Sequence, residues 1–178
     1  ASKRWRSLVA GCPLLIVSAT CATIPFALQH ANQSEIAAIN ASHANAAAIM
    51  DTKTRERELA DAAAYNRRLA TNGQPVLGDN PDPFNGDEPT YDSDYRHELD
   101  LPADGIMTTI TYPRLGIDLP VRHGTSASTL EQGAGHMYGT SLPVGGENTH
   151  TVLSAHTGLA DTLMFDKLHS LGGQAQVG

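Results

Sequence analysis

Cysteine is nearly absent: Cys12 and Cys21 are the only thiols in 178 residues. Two cysteines cannot frame a disulfide scaffold, nor can they alone ligate a structural zinc. Aromatics make up 5% of the chain, and 12 Lys and Arg stand against 19 Asp and Glu, a net charge of −7. That balance lacks the basic stripe of a nucleic-acid binder, so no nucleic-acid partner is expected. The 8 histidines include no H-x-x-x-H pair, and there is no C-x-x-C; neither a metal nor another cofactor is expected. Ser154 does not sit in a G-x-S-x-G elbow, which argues against a serine hydrolase. With 40% apolar residues the chain is not disordered throughout, and its length fits about one domain plus appendages.

What charge there is falls in blocks. Lys3, Arg4 and Arg6 open the chain, and residues 7–34 carry no Asp, Glu, Lys or Arg. Residues 35–70 hold five acids and five bases, whereas residues 71–104 hold nine acids and one base, Arg96. The uncharged run Leu8 to Leu28 would span roughly 30 Å as a helix, about one hydrocarbon core. Basic residues before it and Trp5 at its edge predict a transmembrane anchor, with the N-terminus cytoplasmic and the rest extracellular. Pro13 and Pro25 would sit near its ends. Too few apolar residues precede Gly11-Cys12 for a lipoprotein signal, and a cleaved signal peptide is the lesser alternative. Residues 1–28 are thus expected to be a cytoplasmic tip and anchor.

Residues 29–70 are rich in Ala with interleaved charge and hold neither Pro nor Gly. Good helix formers and a thin apolar face predict one or two helices forming a solvated stalk. Residues 71–104 are rich in Pro, Gly and Asp and read as an acidic loop. Pro81 and Pro83 occupy positions where a calcium loop starting at Asp79 needs oxygen ligands, so that reading fails.

From Gly105 the pattern becomes β-rich. Ile106 to Tyr112 and Ile117 to Val121 predict strands, and Ser128 is expected to cap a helical turn with Glu131 three residues on. Thr149 to His156 reads as a third strand, placing His150, Val152, Ser154 and His156 on one face. His156, at that strand's end before Thr157-Gly158, is suited to present an imidazole to a cleft for proton transfer.

Three blocks carry a resemblance. They are Ile110-Thr111-Tyr112-Pro113-Arg114-Leu115-Gly116-Ile117-Asp118-Leu119-Pro120-Val121-Arg122-His123-Gly124-Thr125-Ser126, Gly133-Ala134-Gly135-His136-Met137-Tyr138-Gly139-Thr140-Ser141-Leu142-Pro143-Val144-Gly145-Gly146, and Thr149-His150-Thr151-Val152-Leu153-Ser154-Ala155-His156-Thr157-Gly158-Leu159. Together they resemble the N-terminal part of a class C, pilin-polymerising sortase. The resemblance implies an α+β chain: a transmembrane helix and helical stalk, an acidic lid loop, then the first part of a sortase β-barrel over 105–178. It implies a cysteine transpeptidase that cleaves LPxTG-type sorting signals and joins pilin subunits through a lysine amine. Pilin or surface proteins bearing such signals would be its partners.

By the same resemblance His156 is the catalytic histidine, with Thr157 where Arg is usual and Ser154 where Thr is common. Asp82 and Phe84, in Asp82-Pro83-Phe84, match the lid motif. His136 falls in the G-H-x-x-G-T-S block as a structural residue. The family's nucleophilic cysteine and its arginine lie well beyond the histidine, in a T-L-x-T-C strand and after it. This chain has no cysteine past Cys21, and neither Arg114 nor Arg122 has motif support for the arginine's role. The chain opens without Met and stops without a closing element, so it is expected to be a truncated sortase, inactive as it stands. A non-catalytic, membrane-tethered surface module or pseudogene product with a degenerate sortase fold is the alternative. A wall-anchoring sortase of another class is disfavoured by the lid motif and the T-S-L-P-V-G-G run.

Overall fold

The computed structural model describes residues 2–72, 93–100, 103–157 and 164–168, with side chains of the first helix described from position 17 onward. The alanine-rich region builds two helices, α1 (Ser2–Ile49) and α2 (Thr52–Asn72). Asp51 makes the break between them. Its carboxylate accepts from the N–H of Lys53 at 2.9 Å and of Thr54 at 3.1 Å, which satisfies donors that the first turn of α2 leaves open. The hydroxyl and N–H of Thr54 hold that carboxyl below its ordinary pKa.

The expected membrane anchor is corrected. Among the described residues no helix is long and apolar enough to cross a membrane. The single-pass topology, with its cytoplasmic tip and extracellular domain, falls with it. Instead of ending with the apolar run near Pro25, α1 continues unbroken to Ile49. From position 17 its apolar stretch reaches only Leu28 before Gln29, His30, Asn32, Gln33 and Ser34. That is about 18 Å of helix against a hydrocarbon core of about 30 Å. The side chains of residues 8–16 lie outside the described residues.

The β-branched runs pair as an antiparallel hairpin of β1 (Ile106–Tyr112) and β2 (Ile117–His123), in register from Tyr112 with Ile117 to Thr108 with Val121. Pro113 ends β1 by starting a 3-10 turn, and Gly116 closes it at φ +68°, a left-handed conformation that glycine adopts without strain. A short helix α4 (Ala127–Glu131) then carries the chain across to β3 (Ala134–His136), which runs parallel to β2 and antiparallel to β4 (Leu153–Ser154). The sheet order is β1-β2-β3-β4. Ser126, not Ser128, caps α4: its backbone is still extended and its Oγ accepts from the N–H of Thr129 at 3.2 Å. A cap at Ser126 leaves Glu131 too far along to complete a capping box.

The expected strand Thr149 to His156 shrinks to Leu153–Ser154. Its partner β3 has only three residues, and the chain turns immediately after, with the Thr140 N–H donating to the Met137 carbonyl at 3.2 Å. Outside β4 the pairing continues, among the described residues, only as isolated backbone bonds, from the Met137 N–H to the Val152 carbonyl and from the Ser141 N–H to the His150 carbonyl.

Two buried clusters hold the elements together. Alternation along β2 places Ile117, Leu119 and Val121 with Leu115, Ala134, Met164 and Ile36 of α1. The second cluster joins Ala62 and Tyr65 of α2 to Tyr95 of helix α3 (Ser93–His97), Leu99, Met107 and Leu142. Each fully buried side chain of this size contributes roughly 1.5–3 kcal/mol. Carboxamides add direction. Asn40 of α1 donates to the Asp118 carbonyl at 3.0 Å. Asn66 of α2 donates to the Leu142 carbonyl at 3.1 Å while its Oδ1 accepts from the Leu142 N–H at 2.7 Å.

Candidate active-site groove

His156 follows β4 and lies half-buried, with its carbonyl accepting from the Phe165 N–H at 3.1 Å. It opens onto a groove of about 480 Å³. Leu153, Ser154, Ala155, His156 and Thr157 all line it, opposite Ala127 and Leu130 of α4, with Phe165 completing the lining. The expected alternation of faces is thus not what presents the histidine. With β4 only two residues long, five successive residues run along the groove instead. Leu153, Ala155 and Phe165 also pack on the first core cluster, so the lining is anchored from behind.

The lining is apolar apart from the Ser154 and Thr157 hydroxyls and the imidazole. No Asp, Glu, Lys or Arg is among the described residues lining it. An imidazole facing a groove can pass a proton to or from a group bound beside it. Asp82 and Phe84 lie outside the described residues. Cys21 is exposed on α1, and neither it nor Arg114 nor Arg122 lines the groove. No group of three His, Cys, Asp or Glu side chains comes together among the described residues.

Behind the groove sits a polar knot that the sequence did not single out as a unit. His136 is fully buried. Its Nδ1 is 3.0 Å from the Tyr95 hydroxyl, and its Nε2 is 2.9 Å from the Ser141 carbonyl. A carbonyl only accepts, so Nε2 carries the proton and Nδ1 is left as an acceptor for the tyrosine. Burial, only partly offset by the Ser141 carbonyl, lowers the His136 pKa to about 4, so the ring is neutral. The Tyr95 hydroxyl also accepts from the Gly124 N–H at 3.0 Å, joining α3 to the end of β2. From Ser141 the knot reaches the strand leading to His156. The Ser141 N–H donates to the His150 carbonyl at 2.9 Å, and the Met137 N–H to that of Val152 at 2.9 Å. The G-H-x-x-G-T-S block held His136 and Ser141 of this knot; Tyr95, in the acidic segment, gave no signal.

The sheet is thus mixed, with a parallel β2–β3 crossover through a short helix and a histidine just after β4. Residues 110–177 match the model of the sortase domain. Sortase C-1 from Actinomyces oris is 42% identical, with a TM-score of 0.56 over 66% of this chain and 62% of that one. Sortase C1 from Streptococcus agalactiae is 30% identical, with a TM-score of 0.64 over 74% and 64%. Sortase C from Streptococcus pneumoniae is 31% identical, with a TM-score of 0.62 over 74% and 62%. The chain thus carries a sortase-domain match, and the solved structures it resembles include class C sortases. It spans less than two thirds of the length of each of these structures. No curated protein matches it.

Proposed function

We propose that this chain supplies the histidine half of a class C sortase active site, with His156 as the acid–base residue of a cysteine transpeptidase. In that reaction a thiolate attacks the Thr–Gly carbonyl of an LPxTG-type signal, and the protonated imidazole gives its proton to the leaving amine. A pilin lysine amine then resolves the thioester. The observation that supports this reading best is the His156 groove: a half-buried imidazole beside an apolar channel, framed by backbone bonds rather than sunk into the core. The S-A-H-T-G-L run around it resembles the family's T-A-H-R-G-L block, with Ser154 and Thr157 as departures. Asp82 and Phe84 are proposed to act as a lid, with Asp82 pairing the family's arginine and Phe84 covering its cysteine. The thiol is proposed to come from outside these 178 residues, since Cys21 is exposed on α1 and Cys12 precedes it on the same helix.

The test is to fuse the chain to the cysteine- and arginine-bearing strands of Actinomyces oris sortase C-1. Cleavage of an LPxTG-type peptide is expected from the fusion and not from its His156→Ala variant. Cleavage retained in the variant rejects the assignment. In the chain alone, the peptide should shift the amide resonances of Leu130, Ser154 and Phe165. Failure of both would leave the fold without this chemistry.

A further inference from the structure

On the other side of α4 from the His156 groove lies a second, polar cleft of about 380 Å³. Arg96, Asp100, Gly105, Arg122, His123, Ser126, Ser128 and Thr129 line it. Ser128 and Thr129 thus line the cleft, whereas Ala127 and Leu130 line the groove.

Arg122 has more donors than the described residues use. A guanidinium carries five N–H bonds. Its Nη1 donates to the Asp104 carbonyl at 3.0 Å, and its Nε is buried with no acceptor among the described residues. No carboxylate pairs with Arg122 among them. Gly105 makes the room it occupies, since an added Cβ there would stand 3.2 Å from Nη1. Asp100 is the one carboxylate of the lining, and its Oδ1 is taken by the Gly105 N–H at 2.8 Å. His123 donates from Nε2 to the Glu98 carbonyl at 2.9 Å, and burial lowers its pKa.

The hydroxyls leave a hydrogen over. Ser126 Oγ lies 3.0 Å from Ser128 Oγ and 2.9 Å from Thr129 Oγ1. Three hydroxyl hydrogens serve two such bonds, and Ser126 Oγ already accepts from the Thr129 N–H. Either Ser128 or Thr129 therefore keeps an O–H to offer to an outside acceptor.

We propose that this cleft is a binding subsite for a phosphoryl group, held by Arg122 and Arg96 and by the spare hydroxyl of the Ser126–Ser128–Thr129 cluster. Donors standing on two walls, β2 with α3 on one side and α4 on the other, suit the oxygens of a tetrahedral anion. A carboxylate has its two oxygens in one plane, and one guanidinium would satisfy it. The site is independent of the role given to His156.

The experiment titrates the full chain with sodium phosphate at low ionic strength, following arginine Nε–H and backbone amide resonances by NMR. Saturable shifts at Arg122, Ser128 and Thr129 are expected, weakening as sodium chloride is added. Affinity should fall by about tenfold or more in Arg122→Gln, the loss of a charge-assisted pair. Because Arg122 also holds the Asp104 carbonyl, Arg96→Gln and Ser128→Ala, both at exposed positions, are measured alongside and should each weaken binding. Dimethyl phosphate separates the sources: equal affinity indicates a diester such as a lipid or polymer backbone, and preference for inorganic phosphate a free or monoester group; both support the site. Absence of saturable shifts, equal shifts with acetate, or unchanged affinity in Arg96→Gln and Ser128→Ala overturns it.

Discussion

The Tyr95 hydroxyl and the His136 ring, 3.0 Å apart and both buried, form a hinge-pin between α3 and the sheet. Nε2 donates to the Ser141 carbonyl with Thr140 Oγ1 at 3.2 Å beside it, and the tyrosine oxygen accepts the Gly124 N–H while its O–H faces both Nδ1 and the His136 carbonyl, each at 3.0 Å. Aromatic contacts reinforce it, with Tyr95 edge-on to His123 and to Tyr138, each at 5.0 Å between centroids.

Tyr95→Phe should therefore cost more than its small size suggests. The ring and its packing remain, but the Gly124 N–H and His136 Nδ1 lose their partner inside the core. One buried unsatisfied group costs about 1–3 kcal/mol, so a loss of roughly 2–4 kcal/mol is expected. Urea unfolding of the variant against the parent measures it. A loss below about 0.5 kcal/mol, the range of ordinary surface changes, would show that the knot is not closed as described.

Asn66→Ala tests the clip between α2 and Leu142. The carboxamide engages both the N–H and the carbonyl of one residue, as a neighbouring strand would. Removing it leaves the Leu142 N–H without that acceptor, while the Leu142 carbonyl keeps the Val144 N–H at 2.8 Å and the long bond from Thr151 Oγ1 at 3.4 Å. A destabilisation of about 2 kcal/mol is expected. Hydrogen exchange should also quicken at the Leu142 amide, and an unchanged exchange rate would count against the clip.

How far these relationships could be read from the sequence depends on their range. The hairpin β1–β2 was legible because β-branched residues, Pro113 and Gly116 act locally. The cap of α4 was misplaced by two residues because Ser126 and Ser128 are both capable, and only the backbone at Ser126 decides between them. The strand before His156 was overdrawn for a different reason: its residues favour β structure, but strand length is set by the partner, and β3 is short. The apolar run of α1 carried no sign that it and the helix predicted after it are one unbroken element to Ile49. Asn66–Leu142 and Tyr95–His136 join residues 76 and 41 positions apart, with no periodicity to announce them. The block around His156 is local sequence, whereas the groove that the residue lines depends on α4 and Phe165 and so could not be read from it.

Gly135→Ala tests the packing of β3 between its neighbours. A Cβ at Gly135 would stand 2.2 Å from the Gly124 carbonyl oxygen, a backbone atom that cannot swing aside. Relief requires β3 to move off β2, which opens the parallel pairing of Arg122 with Gly135 and His123 with His136. Overpacking usually costs 1–3 kcal/mol, and a clash against backbone belongs at or above the top of that range, about 3 kcal/mol. Thermal unfolding should report a large drop in midpoint; a neutral substitution would mean that the strands are further apart than described.

The acid limit of stability follows from His136. Its pKa falls from an ordinary 6.5 to about 4 because the charged ring would be desolvated. Between those values the unfolded chain binds a proton that the folded chain refuses, so stability rises with pH across the window. The contribution is complete above about pH 6.5 and is lost progressively as pH falls toward 4, amounting to roughly 3 kcal/mol by linkage. Burial lowers the pKa of His123 as well, which adds in the same direction. Glu98, raised by burial, works oppositely, but it is partly exposed and solvent weakens its effect. Unfolding free energy measured at intervals from pH 7 to pH 4.5 should therefore decline. In the same samples the His136 ring should keep its Nε2 proton and remain neutral down to about pH 5. A ring that titrates near 6.5 in the folded chain would mean that it is not desolvated as described, and the His136 share of the slope of stability with pH would vanish with it.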